Sequence, residues 1–271
     1  DALAEVGFAP YRDMLRTILR HAGGIRVDHV LGLFRLWWIP EGMPAYSGTF
    51  VTSDHEALIG ILALESQRAG AWLVGEDLGT VEQWVKDYLQ DRGVLGTTIM
   101  WFERDYAAQP DVPLAPEAWR PNALASVTVH DLPPTAGYLA GEHVRIRDEL
   151  GLLTRPAEEE LAESAAQVAE WRAMCVDRGL MPADGSDEDL IVALTALVAA
   201  SPSVLVGVAL TDAVGDRRAQ NQPGTDKEYP NWQVPLTDSA GRAVLIEDLP
   251  GNPLLRRLVD AVNLKDPSPG S

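Results

Sequence analysis

The sequence predicts an α/β chain that carries the later part of a (β/α)8 barrel, on three observations. Strand-like and helix-like stretches alternate through most of its 271 residues, which argues for a parallel sheet with helical crossovers. Polar residues able to do chemistry follow one strand after another, at Asp28, Glu76, Asp131 and Asp212, and barrel enzymes assemble their sites from strand C-terminal ends in this way. About five strands are legible, too few to close an eight-stranded ring. The expectation is that the missing strands lie upstream of Asp1. An open α/β sheet would also gather ligands at its strand ends, but Gly23, Gly24, Gly75 and Gly79 do not have the spacing of a phosphate-binding glycine fingerprint.

Taken in order, residues 3 to 22 repeat apolar side chains at helical intervals (Tyr11, Met14, Leu15, Ile18, Leu19), and Gly23 and Gly24 close that helix. The next run, Gly24 to Val30, reads as a strand in which Arg26 and Asp28 share a face while Ile25 and Val27 pack behind them. Residues 39 to 53 read as a Gly-, Pro- and Ser-rich loop, and Ser53 or Asp54 caps a helix over 55 to 69. Ala71 to Val74 is a strand that ends in Gly75, Glu76, Asp77, Leu78, Gly79, with Thr80 capping a helix over 81 to 92. A strand over 96 to 102, a proline-rich loop over 105 to 122 and a strand over 124 to 129 follow, the last ending in His130 and Asp131. Residues 141 to 200 read as an acidic, almost wholly helical insertion whose charges form a solvated face. A strand over 203 to 210, a polar loop around Asn221 and a helix over 253 to 262 complete the chain, with a frayed tail from Lys265.

Composition limits the function. Forty acidic residues against 22 basic ones give a formal charge of -18, which disfavours nucleic acid and anionic membranes and suits a neutral polar substrate. A single cysteine, Cys175, allows no internal disulfide and points to a reducing, cytoplasmic compartment. No apolar run approaches the length of a membrane span.

Each strand-end charge has an ordinary reading as a structural ion pair, and for Arg26 and Asp28 alone that reading is the commoner one. Three carboxylates in contrasting surroundings change the balance. Arg26 favours ionised Asp28, the apolar run before Glu76 favours a protonated acid, and His130 beside Asp131 can meet a substrate hydroxyl. An ionised and a protonated carboxylate converging on one pocket are what glycoside chemistry uses. Trp37, Trp38, Tyr46 and Trp101 could stack on sugars, although each alone is more often core. Metal binding is the rival for His29, His55, His130, Asp28 and Asp131, yet no helical His pair or Cys cluster is present. No metal or other cofactor is expected. A Ser-His-Asp hydrolase lacks its Gly-x-Ser-x-Gly elbow.

Three runs carry a resemblance: Arg26-Val27-Asp28-His29 with Gly32 and Trp37 to Pro40, Gly75-Glu76-Asp77-Leu78-Gly79, and Thr128 to Pro133. With the segment from Asn221 to Trp232 they resemble, in order, the 4-α-glucanotransferases (amylomaltases, or disproportionating enzymes) of glycoside hydrolase family 77 in the α-amylase clan. The resemblance implies transfer of α-1,4-glucan segments between maltodextrins by retaining double displacement, with Asp28 as nucleophile, Glu76 as acid and base, and Asp131 as stabiliser of the cationic sugar. It implies that Arg26 holds Asp28 ionised and that His130 and Asn221 bind sugar hydroxyls. It also implies that residues 1–271 are the C-terminal part of a catalytic barrel whose N-terminal part is a missing partner. Phe50, where the family carries tyrosine, and Pro134 after Asp131 depart from the pattern. The alternatives are a hydrolase, which uses the same chemistry with water as acceptor, and a catalytically silent partial barrel with weak sugar binding.

Overall fold

The computed structural model describes residues 2–108 and 112–263. The chain divides into two compact units, one of Asp1–Thr97 with Asn122–Leu124, the other of Thr98–Pro121 with Ala125–Ser271. In the first, α1 (Ala2–Glu5) and α2 (Ala9–Leu19) replace the single helix expected over 3 to 22. Gly7 and Phe8 both take positive φ, and Pro10 occupies the first turn of α2, so the chain breaks and restarts where proline is tolerated. Next come β1 (Gly24–Val27), β2 (Arg35–Trp38), β3 (Thr49–Thr52), α3 (His55–Ala69), β4 (Trp72–Gly75), α4 (Gln83–Asp91) and β5 (Val94–Ile99). The cap expected at Asp54 is present, its Oδ1 accepting the Ala57 N–H at 3.1 Å. Thr80 is not a cap, because α4 starts three residues later after Glu82.

The expected loop over 39 to 53 contains a strand. β2 and β3 pair antiparallel with Trp37 opposite Phe50, their rings meeting edge-to-face at 4.9 Å. Arg35 lies over the Phe50 ring at 4.5 Å. Cross-strand aromatic contacts of this kind stabilise a short hairpin, and its connection, residues 39–48, holds the Gly, Pro and Ser residues other than Ser53. Beneath, the core of this unit is formed by Leu15 and Leu19 of α2, Ile59 and Leu62 of α3, Leu73 of β4, and Val85 and Leu89 of α4. Glu65 of α3 is buried, yet Arg16 of α2 meets it with two hydrogen bonds of 2.8 and 2.9 Å, which satisfies the carboxylate.

The second unit contains the short β6 (Arg104–Asp105) and β7 (Val112–Pro113), then the latter half of β8 (Ala123–Ser126), α5 (Thr135–Leu139), α6 (Glu142–Glu149), α7 (Ala157–Asp177), α8 (Asp187–Ala200), β9 (Leu205–Gly207), α9 (Leu210–Val214) and α10 (Pro253–Asn263). The helical stretch expected over 141 to 200 is α6 to α8. Ser186 and Asp189 close a capping box at the start of α8, whose Leu190, Leu194 and Leu197 are fully buried. Arg257 of α10 reaches Asp189 at 2.5 Å. Pro110 and the tail from Lys265 fall outside the described residues.

The principal sheet has the order β1-β4-β5-β8-β9, and β1 with β4 and β4 with β5 pair parallel. Four strands end sooner than expected: β1 at Val27 and β5 at Ile99, each ahead of a 3-10 turn (Val30–Leu33 and Met100–Phe102), together with β8 and β9. β8 ends at Ser126, and the chain then turns at 129–132, where Leu132 N–H bonds to Val129 O. β9 ends at Gly207, and α9 takes up Asp212.

Asp212 is therefore no free strand-end acid. It is 3% exposed and accepts both the N–H and the hydroxyl of Thr135, each at 2.6 Å, at the start of α5. Burial pushes its carboxyl up to about 6. A raised folded-state value contributes stability that is complete below the unfolded value of about 3.9 and is lost as pH rises through about 6. Asp212→Asn keeps an acceptor for Thr135 N–H but does not titrate. We expect it to flatten the fall in unfolding free energy between about pH 4 and pH 6, measured by denaturant titration. An unchanged slope would assign that titration elsewhere.

Candidate active site

In the first unit the parallel register sets Val27 against Gly75, so the residues that follow β1 and β4 emerge side by side. The ladder continues past both strands, with Glu76 N–H bonded to Val27 O at 2.9 Å and Val30 N–H to Glu76 O at 3.1 Å. The strand ends can approach this closely because position 75 has no side chain. A Cβ there would lie 3.0 to 3.2 Å from three carbons of the Val30 side chain.

Arg26 and Asp28 share a face as the strand period predicts, and Arg26 Nη1 donates to Asp28 Oδ1 at 2.7 Å. The Asp28 side chain is 56% exposed. Glu76 is only 7% exposed, and both its oxygens accept backbone donors: Oε2 from His29 N–H at 3.0 Å and Oε1 from Leu78 N–H at 2.8 Å. These donors fix the carboxyl in the plane they define. His29 makes its contact from a left-handed backbone, φ 46°, and its ring nitrogens stand 3.6 Å from Asp28 Oδ2 and 3.3 Å from Glu76 Oε2. Asp77, the next residue, is buried and accepts Thr97 N–H at 3.0 Å, while the Thr97 hydroxyl donates to Gly75 O at 3.1 Å. The adjacent carboxylates thus divide the work: Asp77 ties β4 to β5, and Glu76 faces Asp28.

Asp28, His29 and Glu76 offer ligand atoms within 4.8 Å of one another. A cation there would meet the Arg26 guanidinium on Asp28 and a Glu76 whose oxygens already accept N–H groups. Both features oppose it electrostatically.

In the second unit the turn after β8 is clamped by Thr128, whose buried hydroxyl donates to Pro133 O at 2.9 Å. The turn presents His130 and Asp131 half-exposed, with His130 Nε2 3.4 Å from Asp131 Oδ2. Asn221 Nδ2 donates to the other oxygen, Oδ1, at 2.7 Å. The loop bearing Asn221 is held by its own side chains. Asn231 accepts Gln222 N–H at 2.8 Å and donates to Thr225 Oγ1 at 2.8 Å, and Tyr229 donates to Ala219 O at 2.7 Å. Trp232, with φ 62°, lies against the His130 ring at a centroid distance of 5.1 Å.

The structure thus brings Arg26, Asp28 and Glu76 together in one unit, and His130, Asp131 and Asn221 together in the other. Sequence reasoning gave no role to His29 as a neighbour of both carboxyls or to Trp232 as the wall beside His130. Their signals were adjacency to Asp28 and an aromatic closing a loop of turn residues. Trp101 is core, 6% exposed and stacked on Tyr138 at 4.2 Å, whereas Trp37, Trp38 and Tyr46 are exposed.

The tight approach at Gly75 is testable. Gly75→Ala forces its Cβ against Val30 and should cost about 1 to 3 kcal/mol of stability, measured by denaturant unfolding. Adding Val30→Ala should recover part of that loss. Strictly additive effects would show that the two positions do not press on each other.

The family profile of glycoside hydrolase family 77, described as 4-alpha-glucanotransferase, matches residues 1–240. A 4-alpha-glucanotransferase of Mycobacterium bovis is 54% identical over all of this chain and 38% of its own length. One from Haemophilus influenzae is 31% identical over 83% of this chain and 33% of its own length. The chain therefore spans well under half the length of the curated relatives it matches. The crystal structure of amylomaltase from Corynebacterium glutamicum superposes with a TM-score of 0.92 at 49% identity, over 96% of this chain and 38% of that one. An amylomaltase from Streptococcus agalactiae in complex with acarbose shares the fold at a TM-score of 0.65 and 19% identity. The five-stranded sheet is accordingly part of a (β/α)8 barrel, and the chain belongs to glycoside hydrolase family 77, the 4-alpha-glucanotransferase family.

Proposed function

We propose that the protein transfers α-1,4-glucan segments between maltodextrins with retention, through a covalent glycosyl intermediate on Asp28. The observation that carries the mechanism is the separation of the carboxyls: an oxygen of Asp28 lies within 4.8 Å of an oxygen of Glu76. Retaining chemistry uses two carboxyls that face one another across the scissile bond, one as nucleophile and the other as acid and then base. Arg26 occupies Oδ1 of Asp28, which leaves Oδ2 to attack the anomeric carbon. As the C1–O bond breaks, the leaving oxygen takes a proton from Glu76 and the Asp28 ester forms. An acceptor hydroxyl then gives its proton back to Glu76, attacks C1 and releases Asp28. Asp131, oriented by Asn221, would stabilise the cationic sugar, and His130 and Asn221 would hold its hydroxyls. Residues 141–200 are read as a helical insertion of the catalytic barrel.

Incubation of the protein with maltotriose tests transfer: glucose together with longer maltodextrins is expected, and shortening without elongation would make it a hydrolase. Asp28→Asn should lower the rate by about 10³-fold or more. Glu76→Gln supplied with a maltosyl fluoride should accumulate a sugar adduct, because fluoride leaves without an acid but the ester then lacks its base. Intact mass and peptide mapping should place the adduct on Asp28, and an adduct elsewhere would overturn the assignment. Asn221→Ala removes a hydrogen bond to a charged group, worth about 1.5 to 3 kcal/mol, so kcat/KM should fall about tenfold to a hundredfold. The principal sheet ends at β1 and β9, and this supports a second reading in which the 271-residue chain by itself is silent. Equal rates for it and its Asp28→Asn variant would establish that reading.

A further inference from the structure

The first unit contains a pocket of about 380 Å³ that Arg26, Asp28 and Glu76 do not line. Its floor is aromatic. Phe34, 5% exposed, stacks on His55 at 4.9 Å and 23° and meets the Trp84 ring edge-on at 5.7 Å. Trp84 is 49% exposed but fixed, since its indole N–H donates to Glu82, whose other oxygen pairs with Arg35 Nη1 at 3.0 Å. Thr52, Ser53 and Thr80 add hydroxyls to the wall.

These features select a chemistry. The volume falls within the range of about 300 to 1,000 Å³ typical of small-molecule sites. Ring faces favour an apolar C–H surface, while the hydroxyls and the ion pair can donate to or accept from a dense rim of ligand hydroxyls. Arg35 and Glu82 neutralise each other, so an ionic ligand finds no uncompensated charge. A pyranose, apolar on its face and hydroxylated at its edge, satisfies all three conditions.

We propose that this pocket binds glucosyl units of an α-glucan, as a holding site lined by none of the catalytic pair. The choice of sugar rests on the transfer reading above. Trp84 supplies the stacking face, and Glu82 and Arg35 hold the hydroxyls. The pocket would retain a long chain while one of its ends reacts.

The test is titration of maltoheptaose into the Asp28→Asn protein, alone and combined with Trp84→Ala or Trp84→Phe, each shown to be folded by its thermal transition. Trp84→Ala should weaken binding about tenfold, or about 1.4 kcal/mol, and Trp84→Phe, which keeps a ring, should restore most of it. With Asp28 intact, Trp84→Ala should raise KM for maltoheptaose by more than it lowers kcat. Equal maltoheptaose affinity with Trp84 or Ala at this position, or no binding by the Asp28→Asn parent, would overturn the proposal. Full transfer by Asp28→Asn would instead overturn the reaction assigned to Asp28, so the two failures are distinguishable.

Discussion

The parallel pairing of β1 with β4 is the constraint on which the chemistry of the first unit depends. Neither strand exceeds four residues, yet their register decides that Asp28 and Glu76 leave the sheet as neighbours. The backbone ladder extends one step beyond the strands, through Glu76 N–H to Val27 O and Val30 N–H to Glu76 O. That step places the His29 N–H where it can also grip the Glu76 side chain. A one-residue slip would turn every side chain to the opposite face. The Gly75 approach to Val30, the Thr97 bonds to Gly75 and Asp77, and the left-handed His29 all oppose such a slip.

Carboxylates fixed by the fold contrast with the exposed Asp28 and Asp131, while Glu76 stands between them, buried with both oxygens accepting backbone N–H groups yet facing Asp28. Glu65, Asp77, Asp212 and Asp216 are buried and spend their oxygens on the fold. Arg16 holds Glu65 below the usual carboxylate range. Burial raises Asp216, but Arg218 and the backbone donors more than offset it, so it too lies low. Among the described residues no cation pairs with Asp212, and burial carries it up to about 6. Asp28 and Asp131 differ in being more exposed, each with one oxygen hydrogen-bonded by Arg26 or Asn221 and a histidine ring beside the other. A nucleophile or charge stabiliser needs this combination of a fixed orientation and a free face.

That division explains what was legible in the sequence. Strand alternation and the i, i+2 rule gave the Arg26 and Asp28 pairing directly, because both are consequences of local geometry. The barrel class follows from element order and strand-end chemistry, and the helix at 55–69 matches its expected bounds because its cap, Asp54, is local too. Asp212 looked like Asp28 in sequence, each following an apolar run, and only the tertiary position of Thr135, 77 residues away, removes it from the functional set. The β2–β3 hairpin was hidden for a related reason. Its strands are joined by Gly, Pro and Ser, while the signal for pairing, Trp37 opposite Phe50, becomes visible only once the register is known. His29 and Trp232 act through backbone conformations with positive φ, which residue type alone does not announce.

The pocket beneath Trp84 and the carboxyl pair are built from the same short connections. Leu31, in the pocket wall, lies three residues after Asp28, and Thr80 lies four after Glu76. The turn after β1 therefore carries a catalytic candidate at its start and a residue of the proposed glucan pocket at its end, and the turn after β4 does the same. Such an arrangement couples the two, since a ligand that presses on Leu31 or Thr80 bears on segments whose backbone N–H groups, at His29 and Leu78, hold Glu76 in place. Rigidity limits how far that coupling can travel. Val30 is completely buried against Gly75, and a packed contact of this kind resists gradual displacement. Occupancy of the proposed glucan pocket should therefore act mainly through the local concentration of bound glucan rather than by reshaping the carboxyl pair, because Val30, which joins Leu31 to His29, is packed against Gly75.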